Sequence, residues 1–357
     1  MFNIWHFHGF CLSSQKISIY LWINKMERDK FWDSLKFILI SFVVYGHMIE
    51  IFAPDGSYNR AMYNFIYTFH MGFFLFISGR FSQVKDRKKY RKGIILLIET
   101  YIVFQIIRCF KVIMIGNTLN YVSGVIFPKG TMWYIGYLIM YRSFIYFTPQ
   151  RIREHQCVIM ILISFLLALF WGFVPVRTFQ KLFAFFPYFL LGYYSIKIDI
   201  KSRIMRLPVY DAFAGIVIIF FLFYFLLNFD IGYIIYCHVS FFGDYTQISP
   251  FYLFIFRGLV YISAIIISIF IMRIALSYDV FPQLGKKTLF IYMYHSFIVL
   301  AFRFLITHGY IAGNEFLLIG YTIFIIVFLI VLSKVRFFNI LMNPVSFLIE
   351  KVKAART

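Results

Sequence analysis

FLLIGYTIFIIVFLIVLSK, residues 316–334, decides the class of fold, because eighteen residues from Phe316 pass before the first charge, Lys334. A helix of that length rises about 27 Å, close to the ~30 Å hydrocarbon core of a bilayer. The run is continuous and does not alternate, which is the pattern of a spanning helix and not of a barrel strand. Working outward, nine further apolar runs read the same way, at 34–53, 62–82, 92–115, 132–147, 157–174, 179–196, 209–228, 251–272 and 289–306. The expected fold is therefore all-α, a polytopic transmembrane bundle of about ten helices.

Composition agrees. Of the 357 residues, 62% are hydrophobic and only 14% charged, with a mean hydropathy of +0.80. A soluble domain carries roughly a quarter charged residues to keep its surface wetted. The formal charge of +20 does not imply a nucleic-acid partner, since the Lys and Arg residues sit between the apolar runs and form no aromatic-interleaved groove. The expected partner of that surface is membrane lipid.

Basic residues also orient the bundle, because they accumulate in cytoplasmic loops. One set of loops holds Lys16 to Lys36, seven basic residues from Arg80 to Lys92, then Arg142, Arg151 and Arg153, then Lys197 to Arg206, then Arg273, Lys286 and Lys287, then Lys334 to Arg356. The alternate loops hold Arg60, Lys129, Arg177, Lys181 and Arg303. This alternation places both termini in the cytoplasm. Met26 opens the segment before the first run, so residues 1–25 read as a start-site artefact or a cytoplasmic extension. Residues 26–340 form one membrane domain and 341–357 a basic cytoplasmic tail.

Ionisable groups inside spans are costly, so each is a functional candidate. They are His47, Glu50, His70, Glu99, Arg108, Lys111, Arg257, His295 and Arg303. By helix rise, His47 and His70 lie roughly 9 and 12 Å below the outer surface and share a layer, with Arg257 near it. Glu99 and His295 are expected in the cytoplasmic half, and Arg108, Lys111 and Arg303 are near enough to helix ends to snorkel. The dense cytoplasmic run containing Arg87, Lys88, Lys89 and Arg91 could supply charge-assisted bonds to an anionic cytosolic substrate such as coenzyme A. Cys11, Cys109, Cys157 and Cys237 are scattered and make no metal or disulfide pattern, so no metal is expected. HExxH, GxSxG and P-loop motifs are absent, as is a histidine with Asp five residues on.

Several segments together resemble a known family. RDKFWDSLKFILISFVVYGH, Arg28 to His47, is similar to the opening of the integral-membrane acyltransferase family 3, with Asp33, Lys36, Gly46 and His47 at its characteristic positions. FHMGFFLFISGRF, Phe69 to Phe81, resembles its second helix through His70, Met71, Ser78 and Gly79, with Gly72 in place of a common Pro and Arg80 in place of an apolar residue. Met132-Trp133-Tyr134, FFPYFLLGYY from Phe185 and LGKKTLFIYMYH from Leu284 follow in family order. One departure falls on the third helix, where Arg87 and Arg91 stand four apart and Glu99-Thr100 replaces a proline before Tyr101.

The resemblance implies transfer of an acyl group, commonly acetyl from acetyl-CoA, to a sugar hydroxyl of a glycan or lipid-linked sugar, with acyl-CoA as donor substrate and no permanently bound cofactor. His47 is then the base that takes the hydroxyl proton, or the transient carrier of the acyl group. His70 would orient His47 or stabilise the oxyanion, as would Arg257. Arg87, Lys88, Lys89 and Arg91 would hold the CoA phosphates. From outside this class, a transporter or flippase could use the same buried His, Glu and Arg as a transport path. A passage through the bundle, lined by the first three helices and the ninth and joining the basic loop to His47 and His70, with Glu99 and His295 along its inner half, is the expected geometry.

Overall fold

A computed structural model describes residues 29–50, 52, 57–114, 130–170, 177–225, 250–278 and 281–354. Residues 1–25 and the end of the basic tail lie outside the described residues. Among the described residues there is no strand, and each of the ten expected runs falls on a helix. These are α1 (Lys30–Ile49), α2 (Ser57–Arg80), α3 (Arg87–Met114), α4 (Trp133–Phe147), α5 (Cys157–Phe170), α6 (Arg177–Tyr194), α7 (Val209–Phe225), α8 (Pro250–Ser277), α9 (Thr288–Thr307) and α10 (Glu315–Leu332). Two short helices follow, α11 (Arg336–Met342) and α12 (Pro344–Ala354), so part of the expected tail is helical.

Four segments among the described residues are long and apolar enough to cross a membrane on their own: Lys30–Ile49, Phe254–Ser277, Leu284–Thr307 and Glu315–Leu332. Helices α5 and α7 are apolar but shorter, at 14 and 17 residues. Helix α6 carries Gln180 and Lys181, both buried, which a helix tolerates when its neighbours shield it from lipid.

Helices α1 and α2 occupy the centre. Helix α2 packs on α1, α6, α7 and α8, and α1 packs on α2, α8, α9 and α10. The closest approach joins α2 to α6. A Cβ placed on Gly79 would lie 2.0 Å from the Phe189 carbonyl oxygen, and one on Gly192 would lie 1.8 Å from the Phe76 carbonyl oxygen. Each glycine therefore lets one backbone rest on the other, and small residues at such crossings supply much of the van der Waals attraction between helices in lipid. Arg80 locks the end of this crossing, donating to the Ser195 carbonyl at 2.7 Å and its hydroxyl at 3.0 Å with its guanidinium over Trp32. A charged residue is thereby accommodated where the resembled pattern has an apolar one.

On the other side of α1, the 3₁₀ turn Leu284–Lys287 leads into α9, and Gly285 is pressed against the Asp33 backbone. Asp33 is buried and bound by Lys36 at 3.1 Å.

Gly79→Ala or Gly192→Ala forces the helices apart and is expected to cost about 1–3 kcal/mol, the range for overpacking. Gly258→Ala and Gly320→Ala, where nothing among the described residues lies within 4 Å of the added carbon, serve as controls. Thermal unfolding in detergent should show a clear loss for the first pair and none for the second.

Candidate active site

His47 sits two residues before the end of α1, with Gly46 beside it. A Cβ on Gly46 would lie 3.1 Å from the Tyr67 ring, so the missing side chain lets α2 approach and brings Tyr67 to His47. The Tyr67 hydroxyl is 3.2 Å from His47 Nδ1. Glu50, one helical turn on from His47, places Oε2 at 3.3 Å from the same nitrogen. Arg303 of α9 donates to that oxygen at 2.9 Å. An ionised carboxylate accepts only, so this chain puts the imidazole proton on Nδ1 and leaves Nε2 with its lone pair.

His70 lies one turn beyond Tyr67, its ring edge-on to the tyrosine with centroids 4.8 Å apart. Its Nδ1 is 2.6 Å from the Ile66 carbonyl oxygen. A carbonyl cannot donate, so Nδ1 carries the proton and Nε2 is an acceptor. A neutral His70 thus has no N–H left for an oxyanion.

His295 corrects the depth expected of it. Its ring stacks on His47 with centroids 5.4 Å apart and planes at 27°, which puts it in the His47 layer and not in the opposite half of the bundle from His47. Depth along a single span is set by that span's own first residue. The 3₁₀ turn docked on Asp33 instead raises α9 by about 2 Å per residue before the α-helix begins. His295 is fully buried, with Nδ1 at 2.6 Å from the Tyr292 carbonyl oxygen and, among the described residues, no hydrogen-bond partner for Nε2.

Three cavities run through this region. The outer one, about 470 Å³, is lined by His47, Glu50, Trp133, Lys181 and Arg303 among others. The central one, about 20 Å³, is lined by His47, Tyr67, His70, Trp133 and Tyr292 among others. The inner one, about 290 Å³, is lined by Lys36, Ser78, Tyr134, Arg142, Lys286 and Tyr292 among others. His47 and Trp133 belong to the outer and central cavities, and Tyr292 to the central and inner ones. Tyr292 donates to the Thr131 carbonyl, which places its ring between the two halves.

His47 and His70 therefore line one cavity on either side of Tyr67, as their common depth implies. Arg303 pairs with Glu50 at 2.9 Å, both side chains being partly exposed at the end of α1. Arg257 is buried on α8 and donates to the Ala168 carbonyl at 2.7 Å, near the end of α5. It lines none of these three cavities, and the positive charge at His47 comes from Arg303 and Lys181. Glu99 also lies outside them, bound to Val345 and Ser346 of α12. The side chain of Lys111 lies outside the described residues. Arg87, Lys88, Lys89 and Arg91 are exposed at the start of α3. Arg87 donates to the Tyr146 carbonyl at 3.0 Å, and Tyr90, in the same turn, lies under the Arg142 guanidinium at 4.7 Å. That contact ties the basic stretch to the wall of the inner cavity. Arg142 Nε is buried there with no hydrogen-bond partner among the described residues.

Tyr67, Trp133, Lys181 and Tyr292 were not singled out from the sequence. A signal existed for Tyr67, which precedes His70 by three and so shares its helix face. Lys181 read as a loop charge, yet it is buried with its ammonium 4.4 Å from the centre of the Trp133 ring. Trp133 and Tyr292 lie in the segments Met132-Trp133-Tyr134 and Leu284 to His295 that resemble the family, and that was their signal in the sequence.

A family model described as an acyltransferase domain, that of acyltransferase family 3, matches residues 29–335. No curated protein and no solved structure matches the chain. The matched segment contains the whole His47 cluster and all three cavities, and it favours the transferase over the transporter. The chain belongs to acyltransferase family 3 and is a membrane protein with acyltransferase activity.

Proposed function

We propose that this enzyme spans the membrane ten times with both termini cytoplasmic and moves an acyl group, acetyl by preference, from acyl-CoA to a sugar hydroxyl of a glycan or lipid-linked sugar. The observation that carries the reading is the His47–Glu50–Arg303 chain, placed where an outer and a central cavity meet. In the reaction the acceptor hydroxyl oxygen attacks the thioester carbonyl while His47 Nε2 takes its proton. Glu50 supports the imidazolium that forms, and Arg303 keeps Glu50 in place. The C–S bond breaks, the thiolate of CoA leaves, and the proton on His47 passes to it. His70, with only a lone pair to offer, suits an acceptor hydroxyl better than an oxyanion.

The donor enters from the opposite side. The inner cavity is rimmed by Lys36, Arg142 and Lys286, and the exposed Arg87, Lys88, Lys89 and Arg91 adjoin it through Tyr90. These cations suit the phosphates of CoA, whose pantetheine arm would run inward to Tyr292. The sugar would enter the outer cavity, where Trp133 offers a flat apolar face.

Purified protein incubated with labelled acetyl-CoA and a panel of glycans should transfer label, and His47→Ala should lower turnover by about 10²-fold or more with folding intact. Glu50→Gln keeps the shape but not the charge and should lower kcat by at least ~10-fold with little change in KM. Turnover like that of the parent enzyme in well-folded His47→Ala would remove His47 from the reaction.

Lys286→Gln and the pair Arg87→Gln with Arg91→Gln should each raise KM for acyl-CoA while leaving KM for the sugar unchanged. Steady-state kinetics with each substrate varied in turn checks this, and equal changes in both KM values would assign these residues to folding instead.

A further inference from the structure

The last two helices lie beyond the matched family segment, which ends at residue 335. Their attachment to the bundle uses Glu99 and Thr100, which stand where the resembled pattern has a proline. Glu99 accepts from the backbone N–H groups of Val345 at 2.5 Å and Ser346 at 3.0 Å and from the Ser346 hydroxyl at 2.5 Å. These are donors of the first turn of α12, which has no intrahelical acceptor for them. Thr100 adds a bond to Asn343 at 3.2 Å, and Tyr294 of α9 donates to the Phe338 carbonyl at 2.8 Å.

The level of this attachment follows from the sequence. Glu99 lies seven residues beyond Lys92, the end of the basic run, and Tyr294 lies seven beyond Lys287. Both distances are about 10 Å of helix. An amphipathic helix lying in a membrane interface sinks its apolar face ~5–10 Å below the headgroups.

Helix α12 has such a face. Val345, Leu348, Ile349 and Val352 recur at helical spacing, and each is 50–58% exposed. The stripe continues on α3, the helix that carries Glu99, where Ile95, Ile98, Ile102 and Ile106 are exposed to the surroundings of the bundle. Basic residues gather on the same segment. Lys334, Arg336 and Lys351 are exposed, Arg336 reaches over Phe347 of α12, and Lys353 and Arg356 follow in the sequence against a single acid, Glu350.

We propose that α12 is an interfacial anchor whose apolar stripe lies in lipid and whose flanking cations select anionic phospholipid headgroups. Glu99 fixes its orientation by capping it to α3. The arrangement is independent of the acyl-transfer chemistry, because none of its residues lines the three cavities around His47.

The test uses the full chain in nanodiscs, with the four cysteines replaced by serine and a bimane probe on Leu348→Cys or Val352→Cys. Acyl chains brominated near the carbonyl are carried on phosphatidylglycerol in one series and on phosphatidylcholine in another. Both probes should be quenched by the brominated lipid and shielded from iodide, with stronger quenching from phosphatidylglycerol. Replacing Lys334 and Lys351 by Gln should cut that preference about 10-fold or more and leave the shielding. Quenching by iodide instead would overturn the anchor. Equal quenching by both lipids would overturn the headgroup selection, and quenching by neither reagent would place the stripe against another copy of the chain and overturn the proposal.

Discussion

Everything else in this molecule hangs on the contact of two helix backbones at Gly79 and Gly192. Lipid tails are as apolar as leucine, so no water-driven force holds helices together in the membrane, and close packing must do so. The two glycines remove the atoms that would keep α2 and α6 apart by the width of a side chain. Helix α2 is thereby held in the centre, and it carries Tyr67 and His70. The same crossing brings α6, with Lys181 and Phe185, up to Trp133, whose ring stacks on Phe185 at 4.9 Å.

Around that axis the site is assembled from five helices, α6 with Lys181 among them, and one 3₁₀ turn. Helix α1 supplies His47 and Glu50, α2 supplies Tyr67 and His70, and α9 supplies Tyr292, His295 and Arg303. Trp133 opens α4 just after the turn at Gly130–Met132. Polar groups at this depth must bond to one another, because lipid offers nothing in exchange. That requirement explains why the three imidazoles have their Nδ1 atoms taken by a carboxylate or by helix carbonyls. The consequence is chemical: each ring is left with an acceptor at Nε2, and the one held by a charged carboxylate is suited to act as the base.

Departures from the resembled sequence pattern also have structural explanations. Arg80 stands where an apolar residue is common, and it binds Ser195 and Trp32 at the end of the α2–α6 crossing. Glu99-Thr100 stands in place of a proline, and both residues bind the segment that follows the family domain. A charge that reads as a candidate for chemistry is in the second case a helix cap. Position along one helix cannot distinguish the two, since the partner lies some 250 residues away in the chain.

The sequence by itself determined that the chain is helical and belongs in a membrane, because uninterrupted apolar length is a local property. It also determined that His47 and His70 share a layer, since both are counted from the same connection between α1 and α2. Tertiary structure alone decided the rest. His295 joins His47 because Gly285 docks on Asp33 and shifts α9 along the bundle, an offset that no count along a single span contains. Arg257 faces Ala168, and Arg303 faces Glu50, because rotation of each helix about its axis is set by packing against several neighbours at once. Depth is written along the chain, whereas which side chains face each other at that depth depends on contacts between residues far apart in it.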